Sequence, residues 1–170
     1  MDIFMHWFLP FITGMAFLKN KKWVILLSFI SVLPDLDTYF GLHRYLGHNL
    51  FILVPFLLFY LFTKNKVWLY ALYFLSSHLF FDMSFPGIRL FWPFTDYSFM
   101  VHFFVAMDGT TFLPNLHIAW GNNNVFPDVN LPRAMSAYSS LIFMWVFAHL
   151  IIFRKRLFKI VLGKFGQEKD

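Results

Sequence analysis

Apolar residues in this 170-residue chain gather into five segments, which short polar stretches separate. Continuous apolar runs of this kind, bounded by polar residues, predict helices. The five segments are Ile3 to Leu18, Trp23 to Leu33, Leu50 to Phe62, Val67 to Phe81 and Ala134 to Phe153. Since a helix rises about 1.5 Å per residue, only the last segment clearly spans a hydrocarbon core of roughly 30 Å by itself.

Composition predicts that these helices lie in a membrane. Hydrophobic residues make up 59% of the chain and charged residues only 14%, whereas an ordinary soluble domain has about 25% charged residues. No linker, repeat or low-complexity tract divides residues 1–170, so they predict one membrane-embedded domain. We therefore expect an all-α fold, a multi-pass transmembrane bundle of about five helices with an external loop region from Met83 to Arg133.

The charges between the apolar segments predict the topology of this bundle. Lys and Arg beside short loops favour the cytoplasmic side, and basic residues follow the first, third and fifth segments at Lys19 to Lys22, Lys64 to Lys66 and Arg154 to Arg156. With these stretches inside, eleven of the fourteen basic residues are cytoplasmic and seven of the nine acidic residues lie on the opposite side. The chain is thus expected to be an integral, multi-pass membrane protein.

The same threading brings seven acids and histidines to the extracytoplasmic face. Ionisable residues are costly in hydrocarbon, and their presence there indicates a functional site. His78 and Asp82, four residues apart, share one helix face and are able to grip one ion. Because the chain has no cysteine, a metal must bind through nitrogen and oxygen, which suits zinc, and also manganese or iron, as one or two ions. The predicted ligands are His6, Asp35, Asp37, His43, His48, His78 and Asp82.

Two residues in this region have predicted catalytic roles. A metal lowers the pKa of a bound water towards about 7, which supports hydrolysis. Asp37 would accept the proton of that water, and Arg44 would clamp a phosphate oxygen. Alternatives stay open. One of Asp35 and Asp37 could bind the ion while the other orients a ligand. The simpler interpretations are His78 and Asp82 as a buried polar pair, and Asp35 and Asp37 as helix-ending residues at a proline turn.

The other three histidines are not among the predicted ligands, and the aromatic residues are assigned to packing. His102 and His117 fall in the external region, where solvated loop histidines are usual, and whether they join the site is left open. His149 falls near the cytoplasmic end of the last segment, where packing or snorkelling accounts for it. The 26 phenylalanines are typical of lipid-facing and core packing, so no nucleic-acid role is predicted.

The order of these motifs resembles a membrane-bound metal-dependent hydrolase family whose bacterial members are described as LexA-regulated inner-membrane proteins. The matching stretches are Met5-His6, Leu33-Pro34-Asp35-Leu36-Asp37, His43 to Asn49, Ser77 to Asp82, and Trp92-Pro93. The family's Thr-His-Ser is replaced here by Gly47-His48-Asn49. The resemblance implies a helical fold reminiscent of zinc-dependent phospholipase C, with His and Asp ligands used for phosphodiester cleavage.

Three classes of function follow from these features. The leading hypothesis is a membrane-bound, metal-dependent hydrolase, a phosphoesterase whose substrate is a lipid or lipid-linked phosphate at the membrane interface. The alternative is a non-catalytic metal-binding or metal-transport membrane protein, which also places His and Asp within the membrane. A structural scaffold is a third hypothesis, in which ligand substitutions would leave every activity intact. The lipid bilayer is the expected partner in each case.

Overall fold

Helices form most of the computed structural model, which describes residues 3–40, 46–84, 87–108, 110–122 and 137–154. The helices are α1 (Ile3–Phe17), α2 (Lys21–Leu27), α3 (Val54–Thr63), α4 (Val67–Asp82) and α5 (Ala137–Ile152). Two 3₁₀ helices join them: Ser28–Phe40, which continues α2, and Leu50–Leu53, which leads into α3. The mostly helical character predicted from the apolar segments is confirmed.

A long 3₁₀ helix replaces the turn predicted at Pro34. Proline removes one backbone donor, and here the chain tightens to three residues per turn and continues to Phe40 instead of turning away. The three-residue repeat stacks Ser28, Ser31, Pro34 and Asp37 on one buried face. This winding, which apolar patterning does not predict, aims the carboxylate of Asp37 into the protein.

A β-hairpin occupies the region predicted as an external loop, so the all-α prediction is wrong. Strand β1 (Ser98–Asp108) pairs with β2 (Thr111–Gly121) in an antiparallel register that runs from Ser98 opposite Gly121 to Asp108 opposite Thr111. Alternate residues of β1 face inwards, where Met100 and His102 are buried. The Val101 amide donates to the Met83 carbonyl at 2.8 Å, and this bond anchors the hairpin at the end of α4.

Helix length supports membrane crossing at one place in the described ranges. The 20-residue helix Lys21–Phe40 is long and apolar enough by length and composition, with a mean hydropathy of 1.4. Core helices of soluble proteins and signal sequences near an N-terminus have the same properties. The helices Phe4–Phe17, Leu50–Thr63 and Ile142–Ile152 are apolar but shorter. Helix length alone therefore does not support the predicted multi-pass arrangement.

The interior is unusually polar and the exterior unusually apolar. His6, His48, His78 and His102 are among the largest fully buried side chains, beside Phe74 and Phe81. Large apolar side chains point outwards, for example Phe29 at 65% and Phe62 at 82% relative exposure. A small apolar core of Leu79, Ile88 and Leu90 lies between α4 and the hairpin. Soluble proteins show the reverse distribution.

Candidate metal centre

Five buried histidines and aspartates meet near the start of α1 and the end of α4. They come from α1, from the long 3₁₀ helix, from residues 46–49 and from α4, and each is at most 7% exposed. Helix α4 contributes two of them from successive turns of one face. The five residues are His6, Asp35, His48, His78 and Asp82.

Four donor atoms of this group have the spacing of ligands around one ion. The Nε2 atom of His48 lies 2.9 Å from Asp82 Oδ2 and 3.1 Å from His78 Nε2, and His78 Nε2 lies 3.3 Å from Asp82 Oδ2. Asp35 Oδ1 is 3.5 Å and 3.7 Å from the two imidazole nitrogens. Donors about 2.1 Å from a common ion are separated by about 3.0 Å in an octahedron and about 3.4 Å in a tetrahedron. The donors therefore fit a single cation.

His6 contacts the same two carboxylates through their other oxygens. Its Nδ1 is 3.3 Å from Asp35 Oδ2, and its Nε2 is 3.3 Å from Asp82 Oδ1. Each carboxylate thus presents one oxygen to His6 and the other to His48 and His78. The group His6, Asp35, His78 and Asp82 offers ligand atoms that all lie within 4.8 Å of one another, and it could hold a metal ion.

A buried ring nitrogen also indicates that a cation belongs here. His6 Nε2 is buried and makes no well-aligned hydrogen bond to the described residues, although Asp82 Oδ1 lies 3.3 Å from it. Most buried polar atoms in proteins are hydrogen-bonded, and an exception commonly marks the place of a bound ion or water. Coordination to a metal ion would satisfy His6 Nε2 without a hydrogen bond. The residues present therefore fit a metal ion.

Asp37 lies behind His48 and orients it. Its Oδ2 atom accepts from the Nδ1 of His48 at 3.1 Å and from the backbone amide of Gly47 at 3.3 Å. Metal-bound histidines commonly donate their second ring nitrogen to a carboxylate, which fixes the ring. Asp37 therefore holds the Nε2 of His48 towards Asp82.

The residues on either side of His48 have structural roles. A Cβ atom at Gly47 would lie 2.6 Å from Pro34 Cα and nearer still to the Pro34 carbonyl oxygen, so only glycine fits this close backbone contact. Asn49 caps the following 3₁₀ helix, since its Oδ1 accepts from the Phe51 amide at 2.9 Å. Gly47 and Asn49 thus give the chain a tight, capped entry into α3.

The electrostatic surroundings of His48 favour positive charge. Burial lowers the pKa of its imidazole, but hydrogen bonds to Asp35 and Asp82 and the charges of Asp82 and Asp37 raise it more, to a pKa of about 9. Three carboxylates around one imidazole therefore stabilise a proton or a metal cation at this position.

The predicted site residues, together with the two histidines whose role was left open, divide into four groups. Five predicted ligands converge, and Asp37 stands behind one of them. His43 and Arg44 lie outside the described residues. His102 and His117 face each other across the hairpin and are not in the five-residue cluster.

A second buried polar network was missed from the sequence. The hydroxyl of Tyr73 lies 2.6 Å from Thr13 Oγ1 and 3.0 Å from His149 Nε2, and Trp145 donates to Thr13 at 3.2 Å. These bonds join α1, α4 and α5. The only available signal was the presence of polar residues within apolar helices.

Comparison of the chain with protein-family models, curated proteins and solved structures gave no match. The family resemblance therefore depends on the motif residues alone.

Proposed function

We propose that the protein is a membrane-bound, metal-dependent hydrolase, a phosphoesterase that acts on a lipid or lipid-linked phosphate at the membrane interface. The observation that carries the proposal is the buried group His6, Asp35, His78 and Asp82, whose ligand atoms all lie within 4.8 Å of one another, with His48 Nε2 2.9 Å from Asp82 Oδ2. Mixed nitrogen and oxygen donors in a compact buried set favour zinc.

A membrane location is part of the proposal, and the distribution of side chains supports it. Charged and polar residues are buried at the centre, while Phe29, Leu57, Phe62 and other large apolar residues point outwards. Lipid is the solvent that matches such an exterior. We propose a multi-pass integral protein, its short helices accommodated by local thinning of the bilayer, with the metal centre on the extracytoplasmic face.

The chain supplies the residues for phosphate-ester hydrolysis. A divalent ion, when bound, supplies Lewis acidity and makes water a stronger acid. Asp37 and Gly47 line a cavity of about 330 Å³ beside the centre, which gives a substrate access to Asp37. In this proposal Asp37 holds the His48 ring from the side opposite the ion, and Arg44 binds a phosphate oxygen.

Metal transport is the competing function. A transporter needs ionisable groups at several depths along a pathway. In the described ranges, the buried carboxylates Asp35, Asp37 and Asp82 all lie at this one centre, and the ionisable residues buried elsewhere are two separate histidines, His102 and His149. One compact centre favours the hydrolase.

Metal content and turnover, measured on one set of variants, test the proposal. The purified protein is expected to contain zinc by elemental analysis and to hydrolyse bis(p-nitrophenyl) phosphate. His78→Ala should lose both properties, whereas His149→Ala, which removes another buried histidine, should keep the metal. Wild-type protein without a divalent ion, or His78→Ala protein with unchanged turnover, would contradict the proposal.

A further inference from the structure

An apolar groove lies between α1 and the long 3₁₀ helix. Its volume is about 710 Å³, within the range of roughly 300–1,000 Å³ found for small-ligand pockets. The six lining residues are Phe4, Trp7, Phe29, Val32, Leu33 and Leu36. No charged side chain is among them, so the lining selects an aliphatic ligand.

The groove belongs to the same elements as the metal centre. On α1, Phe4 and Trp7 stand on either side of His6 in the sequence, and on the 3₁₀ helix Leu33 and Leu36 do the same for Asp35. Leu33 and Leu36 also line the smaller cavity that reaches Asp37 and Gly47. The apolar groove and the approach to the charged centre therefore lie side by side, with Leu33 and Leu36 as their shared wall.

The groove wall is held by specific contacts. The Trp7 indole donates to Ser28 Oγ at 3.0 Å and stacks on Phe29, with ring centroids 5.5 Å apart. Three-residue spacing puts Leu33 and Leu36 on one side of the 3₁₀ helix. These contacts preform the groove, and preorganisation lowers the entropic cost of binding a chain.

We propose that this groove binds one acyl chain of the lipid substrate while the anionic phosphate of that lipid lies at the metal centre. The inference rests on the proposed function. Charge complementarity determines the orientation of the lipid: a divalent cation attracts the phosphate, and the uncharged groove accepts only the chain.

Photolabelling of the intact, zinc-loaded protein tests this assignment. The probe is a dodecyl phosphate with a diazirine at mid-chain, and labelled residues are located by mass spectrometry. We expect Val32→Trp to lower labelling of the groove residues about tenfold, because an indole there overlaps the bound chain. Val32→Phe makes a smaller intrusion and gives the same test if the tryptophan variant does not fold.

Leu69→Trp is the matched control. Leu69 lines a different cavity, of about 430 Å³, whose wall also includes Phe17, Phe153, Lys19 and Lys66. Its substitution should leave groove labelling within about twofold of wild type. Unchanged labelling in both Val32 variants, or equal loss in Leu69→Trp, would overturn the groove assignment and leave bulk lipid as its occupant. Metal content and turnover are measured on the same preparations, so absent metal or turnover identifies failure of the proposed function separately.

Discussion

Asp37→Ala is the substitution that best separates an orienting carboxylate from a direct metal ligand. It removes the oxygen that accepts from His48 Nδ1 at 3.1 Å and from the Gly47 amide at 3.3 Å. Both donors belong to buried residues, so each lost bond is expected to cost about 1–3 kcal/mol of folding stability. The His48 ring would then no longer be held with Nε2 towards Asp82.

The expected loss of metal affinity follows from this orienting role. Removing the outer partner of a ligating histidine typically lowers metal affinity about 10- to 100-fold, which corresponds to about 1.4–2.7 kcal/mol. Asp82→Ala should lose more, because Asp82 Oδ2 is itself 2.9 Å from His48 Nε2. Asp37→Asn should keep most of the affinity, since an amide oxygen still accepts a hydrogen bond.

Equilibrium competition with a chromophoric zinc chelator measures these affinities. Asp96→Ala is the control, because Asp96 is an exposed acid outside the centre, and it should bind zinc like wild type. If Asp37→Asn loses as much affinity as Asp37→Ala, Asp37 is a direct ligand. If Asp37→Ala stays within twofold of wild type, the orienting role is refuted.

Three other outcomes are expected. Gly47→Ala forces a Cβ atom against Pro34 and should cost about 1–3 kcal/mol of folding stability. We expect a lower Tm and weaker zinc binding, and an unchanged Tm would contradict the close packing. Tyr73→Phe removes the contacts to Thr13 and His149 and should lower stability by about 1 kcal/mol per hydrogen bond while the zinc content stays the same. Chelation of the metal should lower the Tm, since a ligand at one hundred times its Kd stabilises the folded state by about 2.7 kcal/mol. An unchanged Tm after chelation would argue against a metal bound in the folded protein.

The sequence predicted the parts of the site that depend on local spacing. His78 and Asp82 lie four residues apart on a helix, and that spacing alone puts them on one face. The helical segments also follow from apolar runs. The spacing of Asp35 and Asp37 is compatible with one of them binding an ion while the other orients a ligand. Which of the two orients a ligand depends on the winding around Pro34 and on the position of His48 in space.

The hairpin was missed for a related reason. Its strands carry apolar residues on both faces, with Met100 buried inside and Leu116, Ile118 and Trp120 exposed outside, so the alternation that identifies a strand is weak. The bonds from Tyr73 to Thr13 and His149 depend on how α1, α4 and α5 pack together. Sequence spacing within one helix contains no information about such contacts.

The 3₁₀ winding makes the metal centre sensitive to helical register. Nine residues separate Ser28 from Asp37, which is about three whole turns at three residues per turn but about two and a half turns in an α-helix. Rewinding this segment as an α-helix would rotate Asp37 by about half a turn relative to Ser28 and carry it away from His48. A change of winding in one segment, which also shortens those nine residues by about 4.5 Å, is therefore sufficient to take the centre apart.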